Sequence, residues 1–426
     1  MGNTSSRDVP PDDVSSAGND ASTSSRESAT TRSRLVHLNR AVNKFAIYLY
    51  QEMLKDQRRE NVVACPLGVA VGLGLLLLGA EGKTRDEIWR TLYLQEIADN
   101  ADLMAPFAAM HFDSLLSCVE KGCLFQMAVR VFAPRGIKMT HDYEDICTQF
   151  ELTKVHNIDF TSDVSKAIDD VNNWVREKTH GVIPLALPQN GVIKPETRLL
   201  LLCANHIKVR WRDTFDSSKT VTSTFHVNAR DTLQVRVMQR RCELNYIYSD
   251  KLDADIVELP FENRYTCLYV LLPRKREGIT QLEKQLARTM LEQTFGEMLP
   301  EVVDLLLPRF TFESQLQLND KLKALGIREL FSPNKANLSF LSAEKIHVTS
   351  VFQHVHFEYE ECESCNTSAA TIAHLAVPSP GSAAQAQPEQ HEIVTFHADH
   401  PFVFIVRDVR TGSIWLIGRV FKPEVA

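Results

Sequence analysis

The sequence lacks any long run of apolar residues. No stretch of about 18 apolar residues, the length that a membrane-spanning helix needs, occurs in the 426 residues. The two most apolar stretches, Val69 to Ala80 and Leu199 to Ala204, have the lengths of a buried helix and a buried strand. We therefore expect a globular chain without a transmembrane span, in which both stretches lie in the core.

Clustered positive charge is also missing. The chain has no long run of Lys or Arg, and 54 acidic residues outnumber 47 basic ones, which gives a net charge of −7. Proteins that bind nucleic acid attract its phosphates with grouped basic side chains. The sequence therefore predicts no nucleic-acid partner.

The cysteines do not form the pattern of a disulfide framework. Their number, nine, is odd, and most lie in apolar or strand-like segments, which is typical of free thiols in a reducing compartment. Cys362 and Cys365 have C-x-x-C spacing, but no second pair lies at zinc-ribbon spacing and no strand-to-helix pattern surrounds them. The sequence predicts a cytoplasmic protein with neither a metal site nor a redox pair.

Residues 1–33 contain no aromatic residue, Leu or Ile and are rich in Ser, Thr, Asp and Gly. Such a segment buries too little apolar surface to offset its conformational entropy. We expect a disordered tail, and it lacks the apolar centre of a signal peptide.

The tail opens M-G-x-x-x-S, which places Gly2 and Ser6 where N-myristoylation requires them. A chance match in a Ser-rich tail explains the same letters, and both interpretations stay open. One acyl chain binds membranes only marginally, and no polybasic patch follows it. We expect any membrane association to depend on a myristoyl group at Gly2.

The order of patterns along residues 34–426 predicts one α+β domain. Helical spacing dominates first, as in VHLNRAVNKFAIYLYQEML and CPLGVAVGLGLLLLGA, and strand patterns such as TRLLLLCANHIKVRW, LQVRVMQ and YTCLYVLLP dominate later. Helices and strands do not alternate as in βαβ units, which favours large antiparallel sheets. We find no internal repeat and no linker.

One long segment interrupts this domain, at about residues 364–392. It is filled with Ser, Ala, Pro, Gly and Gln. Loops longer than about 12–15 residues are uncommon in compact domains and are usually functional or disordered.

Several segments, in order, resemble the serpin family. FHADHPFVFIVRDVRTGSIWLIGRVFKP, from Phe396 to Pro423, is similar to the serpin C-terminal signature. NVVACPLGVAVGLGLLLLGAEGKTRDEI, from Asn61, resembles the family's Asn-x-x-x-Ser-Pro helix start and its Leu-Gly-Ala-x-x-x-Thr end. VNNWVREKTHGVI, VELPF, LLPRF and LKALGIRELFSPNKANLS match further motifs, so the resemblance covers about residues 35–425.

The resemblance implies a serpin fold, with mostly antiparallel sheets A, B and C, about nine helices and an exposed reactive-centre loop. In inhibitory serpins a protease cleaves this loop, which inserts into the main sheet and traps the enzyme by suicide inhibition. That mechanism needs no catalytic residue, cofactor or metal. The expected partner is a target protease of the serine or cysteine class, and the expected state is a monomer.

Alignment without gaps from His354 places the family's hinge on Cys362 to Thr371. Sheet alternation would then point Cys365, Thr367, Ala369 and Thr371 into the core, and all four are small enough to insert. The predicted hinge residues are Glu363, Ser364, Cys365, Asn366, Thr367, Ser368, Ala369, Ala370 and Thr371.

The chain departs from the family where insertion opens the sheet. The family's Ser-Pro-x-Ser reads Cys65-Pro66-Leu67-Gly68, and its Asn on the third strand falls on Cys203, two positions before Asn205. His354 and Trp211 keep the family's residue types. We therefore expect a polar cluster around His354 that is weakened by thiols.

The reactive bond is placed differently by two counts. Counting forward from Cys362 reaches Pro378-Ser379, directly after Val377, whereas counting back from His400 reaches Glu389 or Gln390. No Lys or Arg lies between Ile346 and Val406, which disfavours trypsin-like targets. Leu375, Ala376 or Val377 would suit elastase-like or chymotrypsin-like serine proteases.

Three classes of function follow. The favoured one is protease inhibition by loop cleavage and insertion. The alternative is a serpin-fold chaperone, carrier or binding protein that does not inhibit, which the altered hinge and the loop prolines favour. An enzyme is disfavoured because nothing resembles G-x-S-x-G or H-E-x-x-H. Leaderless release would move inhibition outside the cell, as the alternative to a cytoplasmic location.

Overall fold

The structure is a computed structural model that describes residues 19–96, 122–149, 152, 154–188, 193–360 and 393–425, with the backbone alone at 19–33, 96 and 360. Its α-helices within these ranges are α1 Asn19–Leu54, α2 Pro66–Gly79, α3 Gly82–Thr91, α4 His141–Gln149, α5 Val164–Lys178, α6 Ile279–Leu286, α7 Leu291–Gly296 and α8 Asn319–Leu325. Short 3-10 turns lie at Leu94–Glu96, Ser217–Lys219 and Glu329–Phe331.

The strands in the same ranges form two hydrogen-bonded sheets. They are β1 Val62–Ala64, β2 Cys123–Pro134, β3 His156–Ile158, β4 Leu199–Arg210, β5 Val221–His226, β6 Thr232–Ser249, β7 Ala254–Pro260, β8 Thr266–Pro273, β9 Leu299–Pro308, β10 Phe312–Gln317, β11 Val348–Glu360, β12 Val394–His397, β13 Phe402–Asp408 and β14 Ile414–Val420. The strand order is β1-β14-β13-β8-β7-β6-β9-β12, with β5 beside β6, in the larger sheet and β10-β11-β4-β2-β3 in the smaller.

The long strand β6 explains why two sheets appear where the family resemblance implies three. Residues 232–237 of this strand pair with β5, residues 237–246 pair with β9 and residues 246–249 pair with β7. Two sheets are thereby joined into one hydrogen-bonded unit. Among the described strands, parallel pairing occurs at β4–β11, β2–β3 and β9–β12, and the other pairs are antiparallel, as expected.

Helices cover both faces of the five-stranded sheet. On one face the apolar helix α2, which begins at Pro66, is buried along nearly its whole length in the main core with α1. On the other face α5 packs Ala167, Ile168 and Val171 into a second core. Asp163 caps the N-terminus of this helix by accepting a hydrogen bond from the Lys166 N–H at 2.9 Å. Because β4 is covered on both sides, its run of apolar residues is buried throughout, as expected.

Three elements differ from the sequence expectations. Helix α1 begins at Asn19, so residues 19–33 are helical where the sequence predicts a disordered tail. Because the rest of α1 is anchored in the core, these residues extend an existing helix and avoid the free-energy cost of nucleating a new one. The segment ITQLEKQLARTMLEQTF has the apolar spacing that predicts one continuous helix. The structure instead breaks it between α6 and α7, where the Thr289 hydroxyl donates to the Gln285 carbonyl at 3.0 Å. Helix α4 is missed because only Tyr143 and Cys147 are buried in it.

No helix in the described ranges combines the length and the apolarity needed to cross a bilayer.

Candidate functional site

The candidate site is the seam between β4 and β11 at the centre of the five-stranded sheet. These strands run parallel and pair from Leu199 with Val348 to Arg210 with Glu360, with one irregularity between Val348 and Ser350. Their outer neighbours β2 and β10 run antiparallel to them. The seam is therefore closed, and the chain leaves it at Glu360 toward the long segment noted in the sequence.

On the α2 side, a small polar cluster holds the seam against the start of the helix. The Gln353 Oε1 atom accepts a hydrogen bond from the Cys65 N–H at 3.0 Å. The Cys203 thiol, directly across the seam from Gln353, donates to the Gly68 carbonyl at 3.4 Å. Gly68 leaves room for Asn205, since a β-carbon there would lie 2.7 Å from the Asn205 Oδ1 atom.

The predicted cluster around His354 is corrected by this geometry. His354 pairs with Ala204 across the seam, and Ala204 and Phe352 belong to the core beneath α5. Because neighbouring side chains on a strand point to opposite faces, His354 lies on the face away from Cys65, Gly68, Cys203 and Asn205. Gln353 occupies the α2 side in its place.

Gln353 is thus the polar residue on the α2 side of the seam that the sequence interpretation missed. The signal was present in the alternation of β11, because Val351, Val355 and Phe357 belong to the main core, whereas His356 and Glu358 do not. Gln353 is an even number of positions from Val351, Val355 and Phe357, so its side chain points to the same face of the sheet as theirs. The alignment to the family starts from His354 because of its residue type. The alternation of buried residues along β11 is the better guide to which side chain faces α2.

The closed seam leaves hydrogen-bonding capacity unmet. Within the described part of the chain, the buried atoms Asn205 Oδ1, Gln353 Nε2 and both ring nitrogens of His354 have no hydrogen-bond partner. Each buried polar group of this kind costs about 1–3 kcal/mol. The closed seam therefore carries buried polar atoms without hydrogen-bond partners on both of its faces.

The two thiols of the cluster are chemically inert. Burial raises the pKa of Cys65 to about 12 and raises that of Cys203 further above its ordinary value. The thiolate is the reactive form of cysteine. These residues therefore act as small packing groups and weak hydrogen-bond donors.

An aromatic cluster marks the end of the seam where β4 and β11 terminate. Trp211 follows β4, and its ring packs 5.1 Å from those of Phe261 and Tyr359 and 5.6 Å from that of Phe215, measured between centroids. The Tyr359 hydroxyl accepts a hydrogen bond from the Phe310 N–H at 3.0 Å. Trp211 thus lies at the top of the sheet, beside the point where the chain leaves β11.

The remaining sequence predictions lie outside the described residues. They are the hinge over 363–371, the reactive-bond candidates Val377, Pro378 and Ser379, the lipidation candidate Gly2, and the pair Cys362 and Cys365.

Comparison with known proteins decides the family. The profile of the family Serpin, described as "Serpin (serine protease inhibitor)", matches residues 40–423. The chain belongs to the serpin family. Family membership supports protease inhibition in general, and serpins as a class are inhibitors of proteases rather than catalysts.

Individual relatives agree over almost the whole length of this serpin. Serpin B9 of Homo sapiens is 29% identical over 393 residues, covering 91% of this chain and 99% of the relative. Iripin-2 of Ixodes ricinus is 28% identical over 386 residues, covering 90% and 93%. Leukocyte elastase inhibitor of Equus caballus is 27% identical over 400 residues, covering 91% and 99%.

Solved structures show the same fold. A structure of a tumour suppressing serpin superposes with a TM-score of 0.79 at 22% identity, covering 91% of this chain and all of that one. Uncleaved ovalbumin superposes with a TM-score of 0.77, also at 22% identity, with coverage of 91% and 100%. The predicted serpin fold is confirmed.

Proposed function

We propose that this serpin inhibits a protease by cleavage within residues 361–392 and insertion of the cut segment between β4 and β11. One observation carries the proposal: the two central strands are parallel neighbours, and the long segment starts where β11 ends.

The direction of the strands favours such an insertion. A segment that turns back after Glu360 would run antiparallel to both β11 and β4. It would replace one parallel ladder by two antiparallel ladders, which pair slightly better per residue. It would also bring backbone groups near the Asn205 Oδ1 and Gln353 Nε2 atoms, which have no hydrogen-bond partner. Insertion would thus release free energy that the closed sheet retains.

Gln353 changes which residues of the segment would face the core. If Gln353 rather than His354 occupies the family's His position, the hinge alignment moves back by one residue. The family's hinge Gly then falls on Glu363 and its hinge Thr on Ser364. The side chains that face α2 would be those of Ser364, Asn366, Ser368 and Ala370. All are small and uncharged, so the alignment on Gln353 also gives a segment that can enter a packed sheet.

The target is proposed to be a serine protease with elastase-like or chymotrypsin-like preference. The alignment on Gln353 moves the early reactive bond from Pro378-Ser379 to Val377-Pro378, so Val377 precedes it. The absence of Lys and Arg between Ile346 and Val406 disfavours proteases whose pockets require a basic side chain. The name of the relative leukocyte elastase inhibitor agrees with this class.

The proposed location is the cytoplasm, with membrane contact only through a myristoyl group at Gly2. The cysteines in the described part of the chain, Cys65, Cys123, Cys147, Cys203, Cys242 and Cys267, are all free, which supports a reducing compartment. We expect the active form to be a monomer.

The first test compares thermal stability before and after an elastase-like protease nicks the segment. Insertion should raise the melting temperature strongly, because the nicked sheet gains a strand. Mass spectrometry of the released C-terminal fragment locates the bond. An SDS-stable complex with the protease then identifies a target.

Two matched variants separate the two alignments. Under the alignment on Gln353, Ser364→Arg places a charge in the core and should abolish the rise in melting temperature, whereas Cys365→Arg faces away and should keep it. The opposite pattern would restore the alignment on His354. If the unmodified chain shows no rise after nicking, inhibition is wrong for this serpin, and a chaperone, carrier or binding role becomes the better hypothesis.

A further inference from the structure

A second polar cluster crosses the same seam on the face away from α2. His206 on β4 lies directly opposite His356 on β11, and Glu358 is two residues further along β11. One ligand atom from each of the three lies within 4.8 Å of the other two. The His206 Nε2 atom is 3.1 Å from the Glu358 Oε1 atom, and the two imidazole rings are 5.4 Å apart between centroids.

The hydrogen bond on the far side of His206 fixes how its ring is presented. His206 is 1% exposed, and its Nδ1 atom lies 2.9 Å from the Gln126 Oε1 atom on β2. In the tautomer that carries its hydrogen on Nδ1, the ring donates to this carbonyl oxygen. In the neutral ring, the lone pair of Nε2 then faces the Glu358 carboxylate. A cation between Nε2 and the carboxylate would be coordinated by both in this tautomer.

We propose that His206, His356 and Glu358 bind one divalent transition-metal ion of the Zn²⁺ class, which clamps β4 to β11. Two imidazole nitrogens and a carboxylate form a known type of zinc ligand set that leaves a fourth position for water. The separation of 3.1 Å between His206 and Glu358 is close to the edge of about 3.4 Å of a tetrahedron with metal–ligand bonds of about 2.1 Å. The donation from His206 to Gln126 is the outer contact that commonly orients a ligating histidine.

The exposure of Glu358 and the nearby Lys208 charge both allow a metal ion to bind at this site. The Glu358 side chain is 32% exposed, so an ion can reach the site from solvent. The Lys208 ammonium lies 4.0 Å from the Glu358 Oε1 atom, and at this exposure such an ion pair is weak. A bound ion would displace it, whereas both histidines remain in place.

The position of the site gives the ion a regulatory effect, which rests on the proposed loop insertion. His206 and the other two ligands lie on the two strands that must part. A strand inserted between them would double their separation from about 4.8 Å to about 9.6 Å and put its own side chains between the rings. The ion therefore binds the closed sheet and opposes insertion.

The first experiment measures binding of Zn²⁺ alone to the full, uncleaved chain freed of metal with chelator. Calorimetry should find one ion at this site, and an ion at a 100-fold excess over its Kd should raise the melting temperature by about 3–5 °C. His356→Gln, at a half-buried position, should weaken binding at least tenfold, as should Glu358→Gln. The matched control is His397→Gln, whose imidazole lies 3.4 Å from Asp304 on the other sheet and should leave binding unchanged.

A spectroscopic readout separates this site from the C-x-x-C pair. Co²⁺ bound by two histidines and a carboxylate should lack thiolate charge-transfer absorption, and a Cys362→Ser/Cys365→Ser variant should still bind. The absence of binding, or binding that His356→Gln spares and the double serine variant removes, would overturn the site.

A second experiment tests the clamp. After the segment is nicked, Zn²⁺ should slow the gain in thermal stability at least tenfold, and His356→Gln should remove this slowing. Binding with an unchanged insertion rate would overturn the clamp but leave the site. If the nicked chain never gains stability, the proposed function fails, while the binding measurement still decides the metal site.

Discussion

At the scale of single residues, a buried ion pair ties α6 to the last strand. The Arg419 Nη1 atom lies 3.1 Å from the Glu283 Oε1 atom, and both side chains are almost fully buried. The Tyr50 hydroxyl donates to the same carboxylate at 2.9 Å, and the Arg419 Nε–H donates to the Glu60 carbonyl at 3.0 Å. Burial raises the pKa of Glu283, while Arg419 and Tyr50 oppose the shift. The charged form of Glu283 is therefore stabilised inside the protein by Arg419 and Tyr50.

We expect Arg419→Met to lower the free energy of unfolding by about 3–5 kcal/mol, because it leaves a buried carboxylate without its cation. Urea unfolding followed by fluorescence measures the loss. Adding Glu283→Gln to the same chain should recover a large part of it.

The matched control is the exposed pair of Arg40 and Glu292, whose atoms lie 3.3 Å apart. Arg40→Met should cost no more than about 1 kcal/mol, as solvent-exposed pairs do. Equal losses for both arginines would mean that burial does not decide the value of the ion pair.

His354 gives the protein a pH dependence. Burial lowers its pKa from 6.5 to about 4; the nearby Glu313 carboxylate opposes the shift, and His356 adds to it. Between these two pH values the unfolded chain binds a proton that the folded chain does not. The stability is therefore complete above pH 6.5 and falls as the pH drops toward 4.

From pH 7.5 to pH 5 we expect His354 to account for a loss of about 2 kcal/mol. His354→Leu should remove this part of the slope when unfolding is measured in chelator at several pH values. His37→Gln, at an exposed position, should leave the slope unchanged. A slope that survives in His354→Leu would assign it to other groups.

At the scale of elements, glycines allow α2 to approach its neighbours closely. A β-carbon at Gly72 would lie 2.7 Å from a methyl of Leu201 on β4, and one at Gly79 would lie 2.4 Å from the β-carbon of Leu341. Leu341 also donates its N–H to the Gly79 carbonyl at 3.2 Å. An added methyl at Gly72 or Gly79 would therefore force Leu201 or Leu341 to shift.

We expect Gly79→Ala to destabilise the fold by about 1–3 kcal/mol, since the clash involves an atom next to the backbone and overpacking costs this much. The gain in helix propensity, about 1 kcal/mol, offsets only part of it. Gly296→Ala at the end of α7 meets nothing within 4 Å and should be neutral or stabilising in the same unfolding assay. A neutral Gly79→Ala would show that the Leu341 segment shifts freely.

At the scale of the whole molecule, the seam is predicted to be the moving part. Lys208 and Glu358 face each other across it at half-exposed positions. Adjacent strands are about 4.8 Å apart, within reach of a disulfide. In the double variant Lys208→Cys/Glu358→Cys, oxidation should bond β4 to β11 and abolish the rise in melting temperature after nicking.

Reduction of the same protein should restore that rise, which makes each sample its own control. The single variants should respond to nicking in both redox states. A rise that persists in the oxidised double variant would show that the segment does not enter between β4 and β11.

The sequence by itself determined the family, the α+β class and the main buried elements. These depend on local periodicity and on motifs that are contiguous in the chain, such as the apolar run of β4 and the Pro66 start of α2. It also located the long segment after β11, because composition alone separates it from its surroundings.

Only the tertiary structure decided which side chains meet at the seam. The face that each residue of β11 presents is set by its register with β4, and a shift of one residue exchanges the two faces. Residue type favoured His354 for the α2 side, yet pairing places Gln353 there and leaves His354 beneath α5. The meeting of His206 with His356 and Glu358 likewise depends on strands about 150 residues apart in sequence, and contacts at such separations leave no local pattern.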